Sequence, residues 1–232
     1  MMEKDSYISK PQTVSVAIGT SMYGRFKDLP NTPSHVLAEF VDNALQSYRD
    51  NKSILESMEP DYKLRVSIYF AMDADGKIIS VDVNDNAGGI SKDKFKTAFM
   101  PAKKPDNDLG LNEFGMGLKT AACWLGEDWL VKTSDINEPE SKTINFCLND
   151  ICAEDLRELP VKYKAENSQE HYTHIHIESP TSNMPSKKSI GKISNELSSI
   201  YRVSLRNKEF ELYALAGWVS AVWFALSFHD LP

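Results

Sequence analysis

Five of the 11 glycines in this chain of 232 residues, Gly88, Gly89, Gly110, Gly115 and Gly117, fall within residues 88–117. Glycine tolerates left-handed backbone and lets the main chain lie close against a bound group. Ordinary turns would scatter such residues, so their concentration points to a loop shaped as a cradle. The segment Gly110-Leu-Asn-Glu-Phe-Gly-Met-Gly-Leu-Lys-Thr120 leads directly into an apolar helix, whose first N–H groups can hold phosphate. It is not a Walker loop, because G-x-x-x-x-G-K-[ST] is absent. It is not a Rossmann fingerprint either, because the strand–turn–helix context and the spacing differ.

The flanking sequence says what carries this loop. Thr32-Pro33 supplies an N-cap and a first-turn proline, and Leu37, Val41, Ala44, Leu45 and Tyr48 recur at helical spacing. They predict a helix from Pro33 to about Asp50. Residues 63–71 and 77–84 read as strands joined by a turn at Asp73-Ala-Asp-Gly76. A short helix is expected around Ser91–Phe99 and another from near Gly115 to Gly126. Strands follow at 128–134, 142–148 and 172–178, with a helical insertion at 150–158, a last helix over 186–202 and a terminal strand. The pattern predicts an α+β fold, a two-layer α/β sandwich with helices on one face of a mixed, mostly antiparallel sheet.

Three parts are expected: an extended polar arm over 1–30, one domain over 31–205, and a terminal strand segment over 206–232. The apolar run Leu212–Leu226, interrupted by Gly217 and Ser220, is shorter than the ~20 residues of a spanning helix. It should be buried in the domain or against something outside the chain. With no polar tail after it, a further domain is expected downstream.

A net charge of -7 argues against a broad basic surface that wraps nucleic acid. The local pairs Lys103-Lys104 and Lys187-Lys188 read as solvated surface. Cys123, Cys147 and Cys152 are odd in number and lack paired metal spacing, so free thiols in a reducing compartment are expected. No signal-like N-terminus is present, and a cytoplasmic location without membrane contact is expected. His174 and His176 share one strand face, but no third ligand is near in sequence, so they read as outward-facing residues rather than a metal site. Trp124, Trp129, Trp218 and Trp223 read as core.

Two further features bear on chemistry. Glu39 and Asn43 stand four residues apart on the predicted first helix, one turn above the other and away from its apolar stripe. Asp85 ends a strand and precedes Asn-Ala-Gly-Gly-Ile90, where a carboxylate can accept from an exocyclic amine and glycines admit a flat ring. Each alone is a solvated helix face or a plain turn. Their order along one chain is what distinguishes them.

E-F-V-D-N-A (39–44), D-N-A-G-G-I (85–90) and G-L-N-E-F-G-M-G-L-K (110–119) resemble the three sequence boxes of the GHKL (Bergerat-fold) ATPase superfamily, which includes DNA gyrase B, heat-shock chaperone ATPases, histidine kinases and MutL. Tyr172-Thr-His-Ile-His-Ile177 resembles the later strand box, and the wording is similar to that of MORC-like and MutL-like ATPases of bacteria. The resemblance implies Glu39 as the general base that activates water against the γ-phosphate, and Asn43 as a ligand of Mg²⁺. It implies Asp85 as acceptor of the adenine amine, Gly89 as the close approach to the ring, and Thr173 in the adenine-side network. Gly110, Gly115, Met116 and Gly117 would hold the phosphates within a mobile lid over 100–117. Lys119 is open between added charge at the phosphates and an exposed helix lysine, and Asp42 between Mg²⁺ and support of the helix.

Tyr172 stands where the family favours glycine, and Ala87 where glycine is frequent. In MutL, gyrase and MORC-like proteins a second domain supplies a lysine to the γ-phosphate; no such domain is recognisable in this chain, so hydrolysis is expected to be slow. The resemblance thus implies an Mg-dependent ATPase whose nucleotide drives homodimerisation, with a DNA or protein client engaged outside this chain. A non-hydrolysing ATP-dependent switch fits the same pocket. A histidine-kinase domain fits less well, because no phosphoacceptor helix precedes residue 33.

Overall fold

The computed structural model describes residues 19–99, 117–167 and 169–218. Helix α1 (Pro33–Met58) begins as the sequence predicts: Pro33 occupies the first turn, and the Thr32 hydroxyl accepts from the His35 N–H at 3.4 Å. It does not stop near Asp50. Residues 51–58 contain neither glycine nor proline, and Leu55, fully buried seven positions after Tyr48, gives the extra turns an apolar anchor.

Strands β1 (Leu64–Met72) and β2 (Ile78–Asp85) form the expected hairpin, from Val66 opposite Asp85 to Met72 opposite Ile78. The Asp73 carboxylate closes the turn by accepting the N–H groups of Asp75 and Lys77. After α2 (Lys92–Ala98) and α3 (Gly117–Leu125) come β3 (Gly126–Ser134), β4 (Glu140–Cys147) and α4 (Leu148–Ala153). The chain continues through β5 (Val161–Ala165), β6 (Tyr172–Pro180), α5 (Ile190–Ile200), α6 (Arg202–Arg206) and β7 (Phe210–Trp218). One sheet of seven strands results, in the order β5-β4-β3-β6-β2-β1-β7, antiparallel everywhere except between β1 and β7. It is the mixed, mostly antiparallel α+β architecture that the sequence predicts.

Alternation sets the layers. Leu64, Val66, Ile68 and Phe70 of β1, Val81 and Val83 of β2, and Ile175 and Ile177 of β6 are buried beneath the helices, in one core with Leu37, Phe40, Val41 and Leu45 of α1 and Ala121, Ala122 and Leu125 of α3. The other face of the sheet is polar and half-open, with Asp82, His174 and His176 on its central strands.

Several expectations are corrected. Residues 20–28 are a 3-10 helix rather than an extended arm, because Tyr23 and Phe26, three apart, both insert into the core. Residues 1–18 lie outside the described part. Strand β5 was not expected: its five residues, one half-buried and four exposed, have no apolar face to signal it. The last helix breaks at Tyr201 between α5 and α6. Trp124 and Trp129 are core, and Trp129 stacks on Phe146 at 3.8 Å between ring centres. Trp218 is not core: it is 54% exposed, beside Lys187. Trp223 and the rest of 219–232 lie outside the described residues. No described helix is long and apolar enough to cross a membrane.

Candidate functional site

Asp85, the last residue of β2, is placed by register. It lies opposite Thr173 of β6, and Thr173 lies opposite Thr133 of β3. All three are buried and share the helix-covered face, a polar row inside an otherwise apolar layer. Burial pushes the Asp85 carboxyl up to about 7, against hydrogen bonds from the Ala87 and Thr173 backbone that hold it down. Its Oδ1 accepts the Ala87 N–H at 2.9 Å. The Thr133 hydroxyl donates to the Tyr172 carbonyl at 2.8 Å, accepts the Ile90 N–H at 3.0 Å and lies 3.3 Å from the Thr173 hydroxyl.

The loop after Asp85 is clamped on both sides. Gly89 has φ +73°, and a Cβ there would stand 2.0 Å from the Ser134 carbonyl oxygen, so no other residue fits without moving backbone. Gly88 packs on Asn51, and its carbonyl accepts the Ile136 N–H at 3.0 Å. The Ser47 hydroxyl donates to the Gly89 carbonyl at 3.0 Å. His171 Nδ1 lies 2.9 Å from the Ala87 carbonyl oxygen, and the Asn86 side chain ties the loop to Lys63 and Arg65 at the start of β1.

Helix α1 reaches this loop along one row. Ser47 and Asn51 touch the glycines, Asn43 stands one turn before Ser47, and Glu39 one turn before that. At 1.5 Å per residue the row from Glu39 to Ser47 is about 12 Å long. Glu39 is exposed at its far end, and Asn43 is half-buried with its amide donating to the Glu39 carbonyl at 2.7 Å. That bond turns the Asn43 oxygen away from its own helix backbone. Partial burial, and then the neighbouring Asp42, raise the Glu39 pKa above the ordinary carboxylate value. Asp42 itself accepts from the Tyr201 hydroxyl at 2.8 Å, and the same hydroxyl reaches the Ala38 carbonyl at 3.0 Å. The break between α5 and α6 therefore holds the turn of α1 that bears Glu39 and Asn43.

The structure thus gathers Glu39, Asn43, Asp85, Gly89 and Thr173 around α1 and the ends of β2, β3 and β6. Gly110, Gly115 and Met116 lie outside the described residues; Gly117 is the first residue of α3. Lys119 is not an exposed helix lysine. It is 1% exposed, burial lowers its pKa to about 8, and its ammonium donates to the Ala98 carbonyl at 2.8 Å, joining α3 to the end of α2. Ser47, Asn51, Thr133, His171 and Tyr201 were not anticipated. Ser47 and Asn51 continue the four-residue spacing of Glu39 and Asn43, a signal present in the sequence; the other three are brought in only by register and by the α5–α6 break.

The donor set suits a nucleotide with a hard cation. A buried carboxylate stands beside a glycine with no room for a side chain, and the side-chain oxygens of Asn43 and Glu39 stand one and two turns along α1 from Ser47.

Residues 31–193 match the model of the family described as histidine kinase-, DNA gyrase B-, and HSP90-like ATPase. Among solved structures, the chain is similar to the ATPase and transducer domains of DNA topoisomerase II from Balamuthia mandrillaris. The TM-score is 0.51 at 14% identity, over 78% of this chain and 46% of that one. At such identity the likeness is one of fold, and the chain spans about half the length of that neighbour. No curated protein sequence matches the chain.

Proposed function

Because the chain belongs to the histidine kinase-, DNA gyrase B- and HSP90-like ATPase family, we propose that it binds Mg-ATP between α1 and the ends of β2 and β6, and hydrolyses it slowly. The observation that carries this reading is the α1 row Glu39–Asn43–Ser47, which ends on the Gly89 carbonyl beside the buried Asp85 carboxylate. Such a row lays a catalytic carboxylate and an amide oxygen along the length of a triphosphate whose base sits at the glycines.

In this reading Asp85 accepts the exocyclic amine of adenine, and Gly89 lets the backbone meet the ring. Thr173 and Thr133 hold the polar network behind it. Asn43 turns its side-chain oxygen toward the phosphates, where a bound Mg²⁺ would neutralise developing charge. Glu39 takes a proton from the attacking water, a role helped by its raised pKa. Gly110, Gly115, Met116 and Gly117 cradle the phosphates from the lid. Lys119 adds positive charge from behind the start of α3. ATP favours a homodimer through residues 1–30, and the client, DNA or protein, is engaged outside this chain.

Glu39→Ala is expected to keep Mg-ATP binding and lose turnover, and Asn43→Ala to lose both. Calorimetry without Mg-dependent nucleotide binding to the native chain would end the proposal. Binding with no turnover above the Glu39→Ala level would leave a nucleotide-operated switch. Sedimentation unchanged by a non-hydrolysable ATP analogue would remove the dimer.

A further inference from the structure

We propose that Asp82, His174 and His176 form a binding site for a divalent ion of the zinc class on the open face of the sheet, away from the nucleotide pocket. The sequence offers two histidines on one strand face without a partner; register supplies the third ligand. Asp82 of β2 lies directly opposite His176 of β6, and His174, two residues earlier on β6, stands on the same face and diagonal to it.

The ligating atoms converge. His174 Nε2 and His176 Nδ1 each lie 2.8 Å from the same oxygen, Asp82 Oδ1, and all three atoms fall within 4.8 Å of one another. Two ligands bound ~2.0 Å from a tetrahedral ion stand ~3.3 Å apart. Each histidine therefore has to withdraw by about 0.5 Å from the carboxylate oxygen, and the two ring nitrogens, within 4.8 Å of each other, have to settle at the same separation. The side chains are 24–33% exposed, enough for an ion to enter and too little for them to swing freely.

Charge favours a cation there. Glu178 Oε2 lies 3.7 Å from His176 Nε2, and Asp128 stands opposite Glu178 on β3. Lys132, opposite His174, is already paired with Glu166 at 3.4 Å. His176, Glu178 and Asp128 also line a cavity of about 370 Å³, which leaves room for water as a further ligand.

Two imidazoles and one carboxylate select zinc, cobalt or nickel over magnesium or calcium, which prefer oxygen alone. The group lies on the face opposite Asp85 and Thr173, so an ion here is independent of any ion at Asn43.

The test uses the full chain of 232 residues, free of nucleotide, without a histidine tag and stripped with a chelator. Zn²⁺ binding is followed by calorimetry, and Co²⁺ binding by its visible d–d absorption. One ion per chain is expected, with affinity reduced about 10–100-fold or more in Asp82→Asn, His174→Ala and His176→Ala, and unchanged in His35→Ala. Where an alanine variant fails to give the native circular dichroism spectrum, His174→Gln and His176→Gln replace it. The proposal is overturned if no saturable binding occurs, or if these variants bind as the native chain does. Either result would leave a hydrogen-bonded histidine–aspartate cluster alone, or place the ion on the thiols.

Discussion

Replacing Asp85 by asparagine should make the nucleotide-free domain more stable at high pH while weakening its hold on nucleotide. The buried carboxyl titrates near 3.8 in the unfolded chain and at about 7 in the fold. A carboxyl whose folded pKa is raised contributes stability that is fully present below its unfolded pKa and is lost as pH rises through the folded one. At 1.36 kcal/mol per pKa unit, the raised pKa costs the fold about 4 kcal/mol at pH 8, where Asp85 is ionised, and less than ~2 kcal/mol at pH 5, where it keeps its proton. Asparagine keeps an oxygen for the Ala87 N–H and carries no charge, so any cost of its amide group is independent of pH. The stability of Asp85→Asn relative to the native chain is therefore expected to rise by about 2–3 kcal/mol between pH 5 and pH 8. Urea denaturation of both proteins at the two pH values measures it. A stability difference that is the same at both pH values would show that Asp85 titrates normally, and the account of a strained, pre-set acceptor would fall. In the same proteins, affinity for an adenine nucleotide at pH 8 should drop at least tenfold on substitution, about 1.4 kcal/mol.

Gly89→Ala should cost more than Gly76→Ala. Both glycines have positive φ, +73° and +78°, and share a backbone cost of about 1–2 kcal/mol. Only at Gly89 does the new Cβ meet a carbonyl oxygen, so equal melting temperatures for the two variants would refute the clash. Tyr201→Phe removes a donor to Asp42 and should destabilise by about 1.5 kcal/mol, a melting shift of ~3–6 °C. An unchanged melting curve would mean that the α5–α6 corner does not hold α1. Leu55→Ala, at a fully buried position, should cost about 2–5 kcal/mol in urea denaturation, and a loss under ~1 kcal/mol would mean that α1 frays beyond Asp50.

What could be read in advance follows from what is local. The first helix start, the hairpin and the turn at Gly88 and Gly89 rest on spacings of two, four or a few residues, and each stands where the sequence places it; residues 100–116 of the glycine-rich segment lie outside the described part. So does the row of Glu39 and Asn43, because a helix fixes which residues share a face. What escaped was set by partners distant in sequence. Asp82 joins His174 only through the β2–β6 register, and Thr133 joins Asp85 only through Thr173 between them. Tyr201 reaches Asp42 across 159 positions. In the sequence Lys119 stays open between charge at the phosphates and an exposed helix lysine; its burial depends on α2 offering the Ala98 carbonyl. The small strand β5 was silent because, with four of its five residues exposed, it presents no apolar face.

The parallel pairing of β7 with β1 bears on how the chain is made. Arg65 and its partner Glu211 are 146 positions apart. At ~5–20 residues per second, a ribosome takes roughly 7–30 s to bring the second after the first. During that interval β1 is paired with β2 alone, and its other edge carries free N–H and C=O groups able to recruit a strand from another chain. A molecule in this state has completed the α1–β2 side of its pocket but not its sheet. Slow synthesis near residue 210, or interruption just before it, should therefore favour aggregation over loss of the helical layer.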